Sequence, residues 1–256
     1  MNAELIDTHA HIDYPDYDQD RDEMIGRALD AGIAYIINVG PTLEGSRNSV
    51  KLAAQYPGVF AAVGIHPHDA DNLPPGYADS ITGLCAQKKV VAVGEIGLDY
   101  CKNFSKPENQ RELFRALLSV AKKVDLPVVL HSRQADHDTI RIIKEFMPIR
   151  AVVHCFSSDI GFLHDCLGLG FMVSFTCNVT YKKSEHVRQV VREAPLERVM
   201  LETDSPYLPA EGYRGKRNEP FFVRHLAEYV AALRGIPFEE VCRVTTENAK
   251  RFFHLP

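Results

Sequence analysis

Eight short apolar runs rich in β-branched residues recur along the 256-residue chain, longer stretches of helical periodicity lie between them, and no linker or composition break interrupts the series. Together these observations predict an α/β fold, a single (β/α)8 TIM barrel spanning residues 1–256. The runs are 4–9, 35–39, 59–65, 90–95, 127–131, 151–154, 171–175 and 199–204. They are apolar nearly throughout rather than alternating, as parallel strands covered on both faces require. Helices are expected at 20–31, with Met24, Ile25, Ala28 and Leu29 on one face, and at 108–124, with Leu113, Leu117 and Val120. Further helices are expected at 184–193 and 221–233, and 238–253 reads as a terminal helix that closes the structure. Strand-to-strand spacing is roughly 20 to 35 residues, the size of one βα unit. An open doubly wound sheet is the rival fold. The lack of a G-x-G-x-x-G run after the first strand weakens its dinucleotide-binding form.

Composition narrows the function. Hydrophobic residues at 45% and charged residues at 25% make an ordinary globular balance and exclude a disordered chain. Twenty-nine Lys and Arg against 34 Asp and Glu leave a net charge of −5. That excludes a surface sheathed in positive charge, though not a local basic patch. No run of about 18 apolar residues occurs, so no transmembrane helix is expected. The opening Met-Asn-Ala-Glu-Leu has neither the basic nor the apolar region of a secretory signal. Cys85, Cys101, Cys155, Cys166, Cys177 and Cys242 are scattered without a C-x-x-C pair, the pattern of reduced thiols in a cytoplasmic protein. Neither a membrane nor an obligate protein partner is expected.

The strand cores are apolar, but their C-terminal ends are not. Runs one, four, five, six and eight end in His9 and His11, Glu95, His131, His154, and Asp204. In a closed barrel those ends converge on the face that carries the chemistry of barrel enzymes. His9 and His11, two apart on a strand, fall on one face and can grip one ion. Glu95 follows an apolar run, where a carboxylate needs a compensating cation, and its two oxygens can bridge two metals. His131 and His154 offer neutral nitrogens to a second ion. Asp204 is placed to take a proton from a metal-activated water, which makes it the candidate general base. Glu202 points to the same side one layer deeper, either supporting a ligand or forming a buried ion pair. Asp99 reads as a turn or helix-cap residue. Cys155 reads as packing on the opposite strand face. His66, before Pro67 and His68, is near enough to the mouth to contact or polarise substrate.

Several motifs, in order, resemble the TatD family of metal-dependent hydrolases, the TatD-type deoxyribonucleases of the amidohydrolase superfamily. They are Asp7-Thr8-His9-Ala10-His11, Gly64-Ile65-His66-Pro67-His68, Gly94-Glu95-Ile96-Gly97-Leu98-Asp99-Tyr100, His131-Ser132-Arg133, His154-Cys155-Phe156 and Glu202-Thr203-Asp204-Ser205-Pro206-Tyr207-Leu208. Tyr213-Arg214-Gly215-Lys216-Arg217-Asn218-Glu219-Pro220 and Thr245-Thr246-Glu247-Asn248-Ala249 extend the likeness to the C-terminus. The resemblance implies a two-metal barrel. His9, His11, Glu95 and Asp204 would hold one ion, and Glu95, His131 and His154 the other, with Glu95 bridging. Many relatives in the wider superfamily bridge with a carbamylated lysine; a glutamate stands here, as in the TatD branch. Ser158 and Cys177 replace glycines common in the family and bear on loop shape alone.

The expected reaction is hydrolysis of a DNA phosphodiester by a metal-activated water, 3′-5′ exonucleolytic by the resemblance, on single-stranded or frayed ends. Arg133 is placed to clamp a phosphate, and Arg214, Lys216 and Arg217 to track a nucleic-acid backbone. Four imidazoles and two carboxylates suit two ions such as Zn, Mn, Ni or Fe better than Mg, which prefers oxygen and water. Two other readings stand beside this one. One is a barrel hydrolase of a small ester, amide or phosphoester. The other is a non-catalytic barrel that binds metal for stability.

Overall fold

A computed structural model describes residues 4–102 and 104–256; residues 1–3, where the absence of a signal segment is partly read, lie outside the described residues. The strands are β1 (Leu5–Ala10), β2 (Ile33–Gly40), β3 (Val59–Val63), β4 (Val90–Asp99), β5 (Val128–Arg133), β6 (Ala151–Val153), β7 (Met172–Phe175) and β8 (Val199–Leu201). Helices α1 (Arg21–Asp30), α2 (Leu43–Gln55), α3 (Tyr77–Cys85), α4 (Pro107–Val124), α5 (Asp136–Lys144), α6 (Ile160–Gly168) and α7 (Glu185–Glu193) connect them, and α8 (Phe222–Arg234) and α9 (Phe238–Phe253) follow β8. All eight strands pair in chain order, each with a parallel neighbour.

The seam between β1 and β8 lies at the polar end of the strands. Asp204 N donates to His9 O at 2.9 Å, His11 N donates to Ser205 O at 2.8 Å, and Ala10 bridges Ser205 in parallel. Asp7 reinforces it, because its carboxylate accepts from Thr203 N (3.0 Å), the Thr203 hydroxyl (2.6 Å) and His9 N (3.2 Å). Burial pushes the Asp7 carboxyl up to about 8 against the pull of those three donors.

Every strand contributes to one inner apolar cluster: Ile6, Ile37, Val39, Phe60, Ala62, Val91, Ala92, Val129, Val152, Met172 and Met200. Only a barrel interior brings all eight strands together this way. Ala249 and Phe253 of α9, with Leu255, join the same cluster. Asn248 on α9 donates to Leu196 O and Val199 O, both at 2.8 Å, and the Thr246 hydroxyl donates to Glu4 O at 2.8 Å. These acceptors lie at the starts of β1 and β8, so α9 stoppers the bottom, as its amphipathic pattern predicts. The C-terminal ends of the strands are left as the open face. A second, larger cluster fills the layer between strands and helices.

Several strand boundaries depart from the sequence reading, among them β8, which stops at Leu201 and leaves Asp204 beyond the strand; two more matter for the site. β4 runs on to Asp99, four residues past its expected end, and pairs with β5 through Gly97–His131 and Asp99–Arg133. β6 stops at Val153, one residue early. All six cysteines are free, and no helix of the described residues is long and apolar enough to cross a membrane.

Candidate metal centre

The polar strand ends meet at the floor of a cavity of about 680 Å³ on the open face. His9 ends up fully buried and Glu95 nearly so, at 4% exposure. His9 Nε2 lies 3.3 Å from His11 Nε2. Glu95 Oε1 faces both, at 3.9 Å and 3.7 Å, and Asp204 Oδ1 stands 3.8 Å and 3.4 Å from the same two nitrogens. The other carboxylate oxygen, Glu95 Oε2, faces a different group: His154 Nε2 at 2.9 Å, His131 Nδ1 at 3.5 Å and His66 Nε2 at 3.9 Å. His131 Nδ1 and His154 Nε2 are 3.1 Å apart. All six residues expected as ligands are therefore brought together, and Glu95 stands between the two sets.

Outward hydrogen bonds orient the imidazoles of His11 and His131. His11 Nδ1 donates to Val39 O at 2.8 Å, so Nε2 carries the lone pair into the site. His131 Nε2 is directed at Asp99 Oδ2 at 3.3 Å, which leaves Nδ1 as the inward acceptor. His154 Nδ1 lies 3.6 Å from Glu202 Oε1, beyond a hydrogen bond, and its Nε2 is turned inward. His131 Nδ1 and His154 Nε2 thus converge on Glu95 Oε2 within hydrogen-bond distance of each other. His9 Nδ1 and His154 Nδ1 are buried without a hydrogen-bond partner. Mixed nitrogen and carboxylate donors gathered this closely suit a divalent cation. Among the described residues, His9–His11–Glu95 is one set whose ligand atoms lie close enough to hold an ion. The residues fit divalent ions.

Burial alone would raise the Glu95 carboxyl, yet the facing imidazoles of His154 and His131, which hydrogen-bond it, hold it well below the usual carboxylate range. Glu95 is therefore ionised. Burial lowers His66 well below the ordinary histidine value, so that ring is neutral. Its Nδ1 accepts from His68 N at 3.1 Å, which puts its proton on Nε2, aimed at Glu95 and the cavity. His66 is thus a hydrogen-bond donor at the mouth rather than a lone-pair donor.

Three side chains behave differently from their sequence reading. Asp99 does accept from Cys101 N (2.9 Å) and Lys102 N (3.0 Å), as a turn residue should. Because β4 extends to it, Asp99 also lies on the Glu95 face, where Oδ2 holds His131 Nε2 and, at 3.0 Å, His68 Nε2. Strand period two over 95, 97 and 99 is the signal that points to it. Cys155 does not pack on the opposite face. β6 has already ended, Cys155 sits at φ +47°, and its residue lines the cavity beside His154. Arg217 does not reach outward for a phosphate. Its guanidinium is bonded to Asp20 at 2.7 Å through both terminal nitrogens and to Glu219 at 2.8 Å, tying the β8–α8 loop to α1. Arg133 lines the cavity. Arg214, over the Tyr181 ring at 4.7 Å, and Lys216, over Tyr213 at 5.7 Å, lie on the β8–α8 loop.

Glu202, which the sequence leaves between two roles, is buried and hydrogen-bonded. Oε1 accepts from Cys155 N and Oε2 from the Ser174 hydroxyl, both at 2.6 Å, with His154 beyond. It therefore backs the His154 ring.

Gly97 explains how β4 and β5 approach closely enough to present Glu95 and His131 together. It sits at φ +145°, and a Cβ there would overlap the His131 carbonyl. Gly97→Ala is expected to cost about 1–3 kcal/mol of stability from the backbone alone and to displace His131. A lower melting temperature together with reduced metal content after dialysis is the expected pair of results, and a normal metal content would disprove the positional role.

Known proteins resemble this chain in sequence and fold. The family described as TatD related DNase matches residues 6–254. A Bacillus subtilis protein named uncharacterized metal-dependent hydrolase YabD is 38% identical over 253 residues, covering 98% of this chain and 99% of that one. The 3′-5′ ssDNA/RNA exonuclease TatD of Erwinia tasmaniensis is 34% identical over 261 residues, covering 98% and 100%. The crystal structure of YJJV, a TatD homologue from Escherichia coli, superposes with a TM-score of 0.95 at 31% identity over the whole of both chains. On sequence and fold together, this chain belongs to the TatD family of metal-dependent hydrolases.

Proposed function

We propose that this chain is a deoxyribonuclease, acting 3′-5′ from single-stranded or frayed ends, with two divalent ions held by His9, His11, Glu95 and Asp204 on one side and by Glu95, His131 and His154 on the other. The observation that carries the reading is Glu95, an ionised buried carboxylate whose two oxygens face two separate imidazole groups at the floor of an open cavity. Two ions bound there would lower the pKa of water from 15.7 to about 7 and neutralise charge on a phosphoryl oxygen. The nitrogen-rich donor set favours Zn, Mn, Ni or Fe over Mg.

The chain's own residues supply the rest. Asp204 lines the cavity and accepts the proton of the attacking water. His66 Nε2–H donates to a phosphoryl oxygen, and the Arg133 fork clamps the same phosphate. Arg214 and Lys216 attract the backbone further along the strand. The exonuclease relative from Erwinia supports a nucleic-acid substrate.

The test pairs metal analysis of the purified protein with degradation of end-labelled DNA, with and without chelator. Chelator-sensitive release of nucleotides from the 3′ end is expected. Hydrolysis of small esters with no attack on single-stranded DNA would overturn the reading. In the same assay Arg214→Glu/Lys216→Glu should raise KM and flatten the slope of log KM against log salt by roughly 1.4, about 0.7 for each phosphate of a single strand that the enzyme no longer neutralises. An unchanged slope would remove both residues from the substrate path.

A further inference from the structure

Among the described residues the exposed large hydrophobic side chains are Leu29, Phe104, Tyr207 and Tyr213. Two of them, Phe104 at 65% exposure and Tyr207 at 52%, line the cavity above the metal centre. They come from different loops, Phe104 from the β4–α4 connection and Tyr207 from the segment after β8. Exposed aromatic rings cost solvation without contributing to the core, and their clustering at one mouth points to a ligand. Each is held from behind by a ring of the site. Phe104 meets His68 edge to face at 4.7 Å, and Tyr207 meets Tyr14 at 6.0 Å and His11 at 6.3 Å. That support keeps both rings at the rim instead of letting them collapse onto the floor. Lys102 and Arg133 line the same cavity as the two rings.

Resting on the nuclease reading above, we propose that Phe104 and Tyr207 form a nucleobase-stacking subsite, which grips the bases next to the scissile phosphate and makes an unpaired strand the preferred substrate. Aromatic faces alternating with cations are the means by which proteins hold single strands without reading their sequence, since every base offers a π-face. The cavity, about 680 Å³, falls in the range of roughly 300–1,000 Å³ that holds one small ligand. It has room for a terminal nucleotide. A paired base has its faces covered by its stacked neighbours and gains nothing from these rings, so frayed or single-stranded ends are selected by stacking, not by base identity.

The test compares kcat/KM on an ordinary single-stranded oligonucleotide with kcat/KM on one of the same length whose 3′-terminal residues are abasic. The intact enzyme should favour the oligonucleotide that carries bases. Phe104→Ala and Tyr207→Ala should each reduce that preference by about five- to 150-fold, the loss of one stacked base, mainly through KM. Tyr207→Phe and Phe104→Trp should retain it, because the ring and not the hydroxyl stacks. Phe104 is largely exposed, so its substitution leaves the folded core alone. Equal losses on the two oligonucleotides, or no loss on either, would overturn the subsite while leaving the nuclease intact. A native enzyme that cleaves neither oligonucleotide yet hydrolyses a small phosphodiester would overturn the nuclease reading, and the subsite with it.

Discussion

Glu95→Gln should leave the protein folded and nearly metal-free. The substitution preserves the size and planarity of a side chain that is buried at the floor of the cavity, but removes the charge both ligand sets face. Four imidazoles are neutral ligands, and Asp204 would be the one carboxylate left to balance two divalent ions. Altering a partner that merely orients a ligand costs about 10- to 100-fold in metal affinity or activity. Asp99→Asn, which weakens the hold on His131, should fall in that range. Loss of the shared ligand itself should exceed it, so metal content after dialysis should drop well below that of the Asp99 variant and activity with it. A Glu95→Gln protein that keeps its full complement of metal would refute the bridging role, whatever its activity.

The contrast between Glu95 and Asp99 also shows what sequence reasoning can reach. The strand ends are legible because parallel strands advertise themselves as apolar runs, so a histidine or acid at the close of each run stands out. His9, His11, Glu95, His131, His154 and Asp204 emerge this way, and the structure gathers all six. Asp99 is harder to read because Gly97 breaks the β-branched pattern. Glycine has low strand propensity, and here it is retained for close approach to β5, so the run looks finished four residues before it is. Cys155 misleads for the opposite reason. Alternation does not extend past the last paired residue of β6 into a left-handed turn, where period two no longer holds. Arg217 looks like its neighbours Arg214 and Lys216 because its partners, Asp20 and Glu219, are set by the tertiary fold; Asp20 is nearly 200 residues away, a separation of 197. Helix α2 carries Gly45, Ser46, Asn48 and Ser49, poor helix formers. It is secured instead by the Thr42 cap on Gly45 N at 2.9 Å and by the packing of Leu52 and Ala53.

Asp204→Asn should separate metal binding from proton transfer. The backbone at Asp204 has φ +55°, a left-handed conformation that asparagine tolerates better than most residues. Asn therefore preserves both the β1–β8 seam, in which Asp204 N donates to His9 O at 2.9 Å, and an oxygen near His9 and His11. Alanine would lose the oxygen and strain the turn together, and its effect would be uninterpretable. What asparagine cannot do is accept a proton at neutral pH. A positioned general base contributes typically 10²- to 10⁴-fold, so kcat at saturating metal should fall by about that much while KM for the oligonucleotide changes little. Addition of a small exogenous base such as imidazole should restore part of the rate if the missing function is proton acceptance. If kcat at saturating metal stays normal, another group takes the proton and Asp204 is a ligand only. If instead the loss is fully repaired by raising the metal concentration, its contribution is to affinity, and the assignment of the base fails.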